Sequence, residues 1–90
     1  MPKTTVTARP ATRPDGRPTT ALALAIAAND AVSYRTLEAT TGVRRPTIHK
    51  ASTIKPGTDH GHGIRREWAQ QIATALGKPL YRLFQPNPRN

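Results

Sequence analysis

The stretch VSYRTLEATTGVRRPTIHKAST, Val32–Thr53, permits few folds, because it holds two helix-length segments separated by a single glycine. Neither is long enough to be stable alone, so each must bury a face against something else. Ser33 can cap a helix running from Tyr34 to about Thr41, and Gly42 stops it by accepting a left-handed backbone. Pro46, whose ring fixes φ, suits the first turn of a following helix that reaches about Thr53. Val32, Leu37, Val43 and Ile48 fall where the two helices must touch if they pack at a steep angle. The second helix then projects from the surface with Arg44, Arg45, Thr47, His49, Lys50 and Thr53 outward. That face is basic, rich in hydrogen-bonding groups, and of a size that fits a DNA major groove.

The flanking text also reads as helix. Leu22 and Ile26 lie one turn apart in an Ala-rich segment that Thr19 or Thr20 can cap, predicting a first helix to about Ala28, ended by Asn29 and Asp30. Ile54–Gly63, IKPGTDHGHG, is turn-rich and predicts a loop. Ile64–Leu76 has helical spacing with Trp68, Ile72, Ala73 and Leu76 on one side, and Gly77 closes it. Pro79 opens a short fifth helix through Phe84, and Pro86 and Pro88 prevent its extension. Residues 1–19 carry four of the nine prolines together with Lys3, Arg9, Arg13 and Arg17, and almost nothing apolar. Arg-Pro recurs there every four residues, which favours extended, polyproline-like chain. The expectation is an all-α fold, a compact five-helix bundle over residues 20–85, preceded by a disordered basic arm (1–19) and followed by a short tail (86–90).

Fourteen Lys and Arg against five Asp and Glu leave a net charge of +9, an excess that points to a polyanionic partner, nucleic acid or an anionic membrane. The longest apolar run, Ala21–Ala28, is far too short to span a bilayer and too Ala-rich to bind lipid well. With no cysteine there is no disulfide framework and no thiolate zinc site, and the opening residues lack a signal peptide's apolar core, so a cytoplasmic protein is expected. Asp59, His60 and His62 alternate with glycine in the loop and read as solvated rather than as a metal site. Trp68 reads as core. With no paired carboxylates, glycine-rich phosphate loop or cysteine, the chain reads as a non-enzyme without cofactor or small-molecule substrate.

Leu37, Gly42, Val43 and Ile48, followed after the loop by Ile72-Ala73, Leu76-Gly77, Leu80, Leu83 and Phe84, give the chain a pattern that resembles Cro/CI-type helix-turn-helix proteins, the class of many phage repressors. The resemblance runs from about Leu22 to Phe84. Three positions depart from the pattern: Glu38 stands where a small residue is usual, Ala51 replaces a larger aliphatic, and the Ile54–Gly63 loop is long. The resemblance implies a lambda-repressor-like fold whose third helix reads bases. By it, Arg44 and Arg45 pair with guanine, with Thr47, His49, Lys50 and Thr53 as further base contacts. It places Ser33 and Tyr34 near phosphate, with Lys55 as a further phosphate contact from the loop. It also buries Leu80, Leu83 and Phe84, leaving Tyr81 and Arg82 outward for a weak dimer contact.

In the arm, Arg9, Arg13 and Arg17 are candidates for minor-groove or phosphate contact, and Pro14–Pro18, PDGRP, is similar to an AT-hook core with Asp15 in place of an arginine. The function implied is a sequence-specific double-stranded-DNA-binding regulator of transcription, a repressor or Cro-like protein of phage type acting on the nucleoid of a bacterial host. Two alternatives remain: an excisionase-like DNA-bending recombination factor, and a protein-interaction module such as an antitoxin or antirepressor.

Overall fold

Thr-Val-Thr-Ala at residues 5–8 is mostly β-branched, a composition that suits a pleated, packed strand. In the computed structural model of the chain, which describes residues 5–86, it forms β1 (Thr5–Ala8). Lys3, Pro88 and the rest of the expected tail beyond Pro86 lie outside the described residues. The chain next builds β2 (Pro10–Thr12) and β3 (Pro18–Thr20), then α1 (Ala21–Ala28), α2 (Tyr34–Thr41) and α3 (Arg45–Ser52). It ends with β4 (Ile64–Arg65), α4 (Arg66–Ala75), α5 (Leu80–Leu83) and β5 (Phe84–Pro86).

β1 is the centre of a three-stranded antiparallel sheet ordered β4-β1-β5. Val6 faces Ile64 on one side and Pro86 on the other, while Thr7 and Ala8 face Gln85 and Phe84. A second sheet is the β2–β3 hairpin, registered Pro10 to Thr20 and Thr12 to Pro18. The molecule is therefore α/β, 46% helix and 21% strand, and not the all-α bundle that helical spacing alone predicts. Nor are residues 5–19 a disordered arm. The Arg-Pro dipeptides that argue against helix are equally at home in strand-edge and turn positions, because proline's fixed φ suits both.

Val6, Thr7 and Ala8 are all buried, so β1 is covered on both faces and shows none of the alternation that marks a half-exposed strand. Its partners lie almost sixty and eighty residues further along the chain, where two or three residues apiece suffice for pairing. Elements so short leave no periodic signal.

The helices lie close to the predicted places. Thr20 caps α1 by accepting the Ala23 amide at 3.1 Å, and Ser33 caps α2 by accepting that of Thr36 at 3.2 Å. Gly42 ends α2 at φ 79°, a left-handed conformation that side chains resist. Pro46 lies in the first turn of α3. One core joins sheet and helices: Val6, Ala8, Leu22, Ile26, Leu37, Val43, Ile48, Ile64, Ile72, Leu76, Leu83 and Phe84 are all buried. Leu80 and Trp68, expected in the core, are half-buried and pack against it.

Two contacts lock the β elements onto the helix pair. The buried Thr20 hydroxyl, besides capping α1, donates to the Ser52 carbonyl at the end of α3 (2.7 Å). Gly61 donates its N–H to the Ala8 carbonyl (3.2 Å) and sits so close to α3 that a Cβ there would overlap the Ala51 carbonyl oxygen. Ala8, Ala51 and Gly61 thus form a cluster of small residues. Ala51, where the resemblance leads one to expect a bulkier aliphatic, is fully enclosed, so a larger side chain there would have to displace its packed surroundings.

Among the described residues, the Thr7 hydroxyl is buried without a hydrogen-bond partner. An unsatisfied buried polar group costs about 1–3 kcal/mol. Thr7→Val keeps the shape and removes that group, so it is expected to raise stability by about 1 kcal/mol and to move the melting temperature up by about 4–8 °C. Thermal unfolding followed by circular dichroism checks this.

Candidate nucleic-acid interface

α3 is oriented from below. Ile48 and Ala51 are 0% and 2% exposed, and Val43, in the turn before it, is 6% exposed. Since these residues are fixed in the core, the opposite side of the helix must face solvent, and Arg44, Arg45, His49, Lys50 and Thr53 are exposed there. Thr47 departs from the expectation. It is half-buried and lines a cleft of 270 Å³ between the α2–α3 turn and α4, with Arg44, Trp68 and Gln71. The Arg65 guanidinium covers the Trp68 ring at 4.9 Å, a cation–π contact on the rim of the same region.

Glu38 resolves one departure from the family pattern. From the middle of α2 its carboxylate accepts the Arg45 backbone N–H (2.9 Å) and pairs with the Arg45 Nε (3.2 Å). Arg44, at the N-cap position, makes no side-chain capping bond. The preceding helix supplies the cap instead, with negative charge where the helix dipole favours it. A small residue at position 38 would bring the helices together by contact; Glu38 joins them by charge and hydrogen bonding. The pair is exposed, so it adds at most about 1 kcal/mol to stability. Its larger effect is geometric: the Nε is held, and the two terminal amino groups of Arg45 stay available for a forked contact.

The other expected site residues divide. Ser33 is occupied as a cap. Tyr34 is half-buried, its hydroxyl bonded to Ser52 Oγ (2.8 Å) and its ring 5.0 Å from that of His49, so it braces α2 against α3. The Thr53 hydroxyl donates to the His49 carbonyl at the end of α3 (2.8 Å). Arg9 is taken out of the expected arginine set: its guanidinium donates to the Tyr81 carbonyl and its amide to that of Leu83 (2.9 Å), tying it to α5. Arg13 and Arg17 are exposed at the hairpin turn.

The segment 54–63 is the turn-rich loop the sequence predicts, and backbone hydrogen bonds tie it down. Ile54 bridges to Gly61, Lys55 donates its amide to the His60 carbonyl (2.9 Å), and Thr58 closes the tip on the Lys55 carbonyl (3.1 Å). The fold brings His62 near Lys50 of α3 and Lys55. The His62 imidazole is pushed below its ordinary pKa of 6.5, first by burial and then by the Lys50 and Lys55 ammonium groups. Spacing alone does not reveal this proximity, because it joins residues on different elements. Tyr81 is 64% exposed on α5.

Among the described residues no helix is long and apolar enough to cross a membrane, and no group of three His, Cys, Asp or Glu side chains can hold a metal ion. Against known family models, curated proteins and solved structures, the chain shows no match.

His62 makes stability depend on pH with a definite sign. Well above 6.5 the ring is neutral in both folded and unfolded chains and contributes nothing to the dependence. Below 6.5 the unfolded chain takes up the proton first, so stability is lost as pH falls toward the lowered folded value. His62→Gln is expected to lose less melting temperature than the parent between about pH 7.5 and about pH 5, measured by thermal melts at both.

Proposed function

We propose that the chain is a sequence-specific double-stranded-DNA-binding transcriptional regulator, cytoplasmic and acting on nucleoid DNA, of the repressor or Cro-like kind found in phages and mobile elements. One observation carries the reading: α3 is fixed by Val43, Ile48 and Ala51 in the core, and its solvent side presents Arg44, Arg45 and Lys50 as one cationic edge with His49 beside them. An exposed helix of this length fits the major groove, where base edges offer a readable donor and acceptor code. The α2–α3 geometry, with its left-handed glycine and buried Leu37, supports the likeness to Cro/CI-type proteins.

Roles follow from the contacts. Arg45, steadied through its Nε by Glu38, offers a fork that matches the N7 and O6 acceptors of guanine. Arg44, with its guanidinium in no ion pair among the described residues, is the second base-reading cation. Lys50 is a further base contact by the same likeness, and Lys55 supplies charge to phosphate beside the groove. His62, whose pKa is lowered by burial and by the two ammonium groups, holds a proton more readily once phosphate offsets those charges. Glu38 is a positioning residue, acting through Arg45.

Selection of bound fragments from a random duplex pool tests the reading. A preferred sequence is expected, with affinity falling steeply as salt rises, and palindromy in the selected sites reports whether two copies bind. Lys55→Ala is expected to weaken binding to all duplexes alike and to lower the log–log salt slope by about 1. Arg45→Ala should cost about 1–3 kcal/mol on the selected site and relax the preference at one base position. Binding absent or insensitive to salt would turn the reading toward a protein partner.

Glu38→Ala separates positioning from charge. Removing a carboxylate from a cationic face is expected to tighten binding to random duplex, while loss of the Arg45 anchor narrows the ratio of specific to random affinity. Competition titrations with the selected and a scrambled duplex measure both.

A further inference from the structure

We infer that the β2–β3 hairpin is a second nucleic-acid contact beside α3, with Arg13 and Arg17 engaging phosphates of the duplex that α3 reads. The inference rests on the DNA-binding reading above and adds to it a rigid, separate surface. Its rigidity comes from both ends of the hairpin. At the tip, Pro14-Asp15-Gly16 makes a tight turn in which the Arg13 amide donates to the Arg17 carbonyl and the Gly16 amide to the Arg13 carbonyl, both at 2.8 Å. Gly16 takes φ 86°, and the Asp15 carboxylate accepts the Arg17 amide at 3.1 Å. At the base, the Thr20 hydroxyl is bonded to the last turn of α3, and the Ala21 amide donates to the Arg9 carbonyl (2.8 Å). The hairpin and α3 therefore hold a fixed relation before any partner arrives.

That relation forms a groove. Arg13, Pro18 and Thr19 make one wall and Tyr34, His49 and Thr53 the other, around an open volume of 310 Å³. His49 belongs to the exposed side of α3, so the arginine-bearing turn stands next to the cationic edge, and residues 12–18 are all exposed. The only carboxylate at the tip, Asp15, lies 3.7 Å from the Arg17 guanidinium in a pair whose side chains are 56% and 78% exposed. Water screens such a pair strongly, so a phosphate can displace the carboxylate from Arg17 at small cost. Arg9, held on α5, takes no part.

The experiment uses the full chain and a selected duplex, with circular dichroism to establish that each variant is folded. The double variant Arg13→Ala/Arg17→Ala is expected to lower the log–log salt slope by about 1.8, since each phosphate contact contributes about 0.9. It should also shorten hydroxyl-radical protection on one side of the site while leaving the preferred sequence unchanged. Asp15→Asn keeps an oxygen for the turn and removes the negative charge, so it is expected to bind severalfold tighter at low salt. If the parent binds with sequence preference and both variants reproduce its slope, affinity and protection, the hairpin lies off the DNA and the inference is overturned while the α3 reading stands. If the parent binds no duplex at all, both readings fail together.

Discussion

β1 is the constraint on which the rest depends. Four residues near the start of the chain are hydrogen-bonded on one edge to Ile64–Arg65 and on the other to Phe84–Pro86, and the Ala8 carbonyl holds Gly61. Closing these pairings fixes where α4 and α5 begin and end relative to α2 and α3. It also brings a strand buried on both faces beside Gly61, where the Ala51 carbonyl leaves no room for a side chain. A short domain buries little surface, so a few long-range backbone bonds carry weight that a larger core would otherwise supply. The unpaired hydroxyl of Thr7 shows that pairing and packing outweigh the cost of one buried polar group.

From that base the cationic edge of α3 follows by exclusion. Ile48 and Ala51 can face only inward, so Lys50, His49 and Arg45 must face water. Glu38 and Tyr34 then do for orientation what apolar contact does for attachment: one caps and steadies the start of α3, the other braces its end through Ser52 and His49. A helix of eight residues held at both ends and along one side keeps a defined direction, which a surface that reads base edges requires. The 54–63 segment and the hairpin both meet the C-terminal end of α3, where Arg13, Pro18, Thr19, His49, Thr53 and Ile54 line one groove.

The helical part of the fold was legible because it is written locally. Ser33, Gly42 and Pro46 signal the ends of α2 and α3 through their own backbone preferences, and Thr20 does so for α1. The exposure of Arg44, Arg45 and Lys50 follows from the same helical period that buries Ile48. The hairpin turn was also legible in principle, since Pro-Asp-Gly between two short segments carries its own mechanism, but the Arg-Pro repeat around it drew the segment toward polyproline chain. The sheet was not legible: strands of two to four residues with partners across the molecule have no period to detect. Nor were the roles of Arg9, Tyr34 and Thr47, whose positions depend on which distant element arrives beside them.

Residue chemistry by itself therefore determined the ends of α1, α2 and α3, the charge, and the side of α3 that faces water, because each follows from neighbours within a turn or two, whereas Ile64, Arg65 and Phe84, which read as helical, pair as strands. Tertiary structure alone decided that residues 5–20 form three strands and a turn rather than a disordered arm, that Glu38 caps another helix, and that His62 sits beside two lysines. Those facts depend on chain closure over tens of residues, which is selected by the total burial and backbone pairing of the whole domain and not by any local preference.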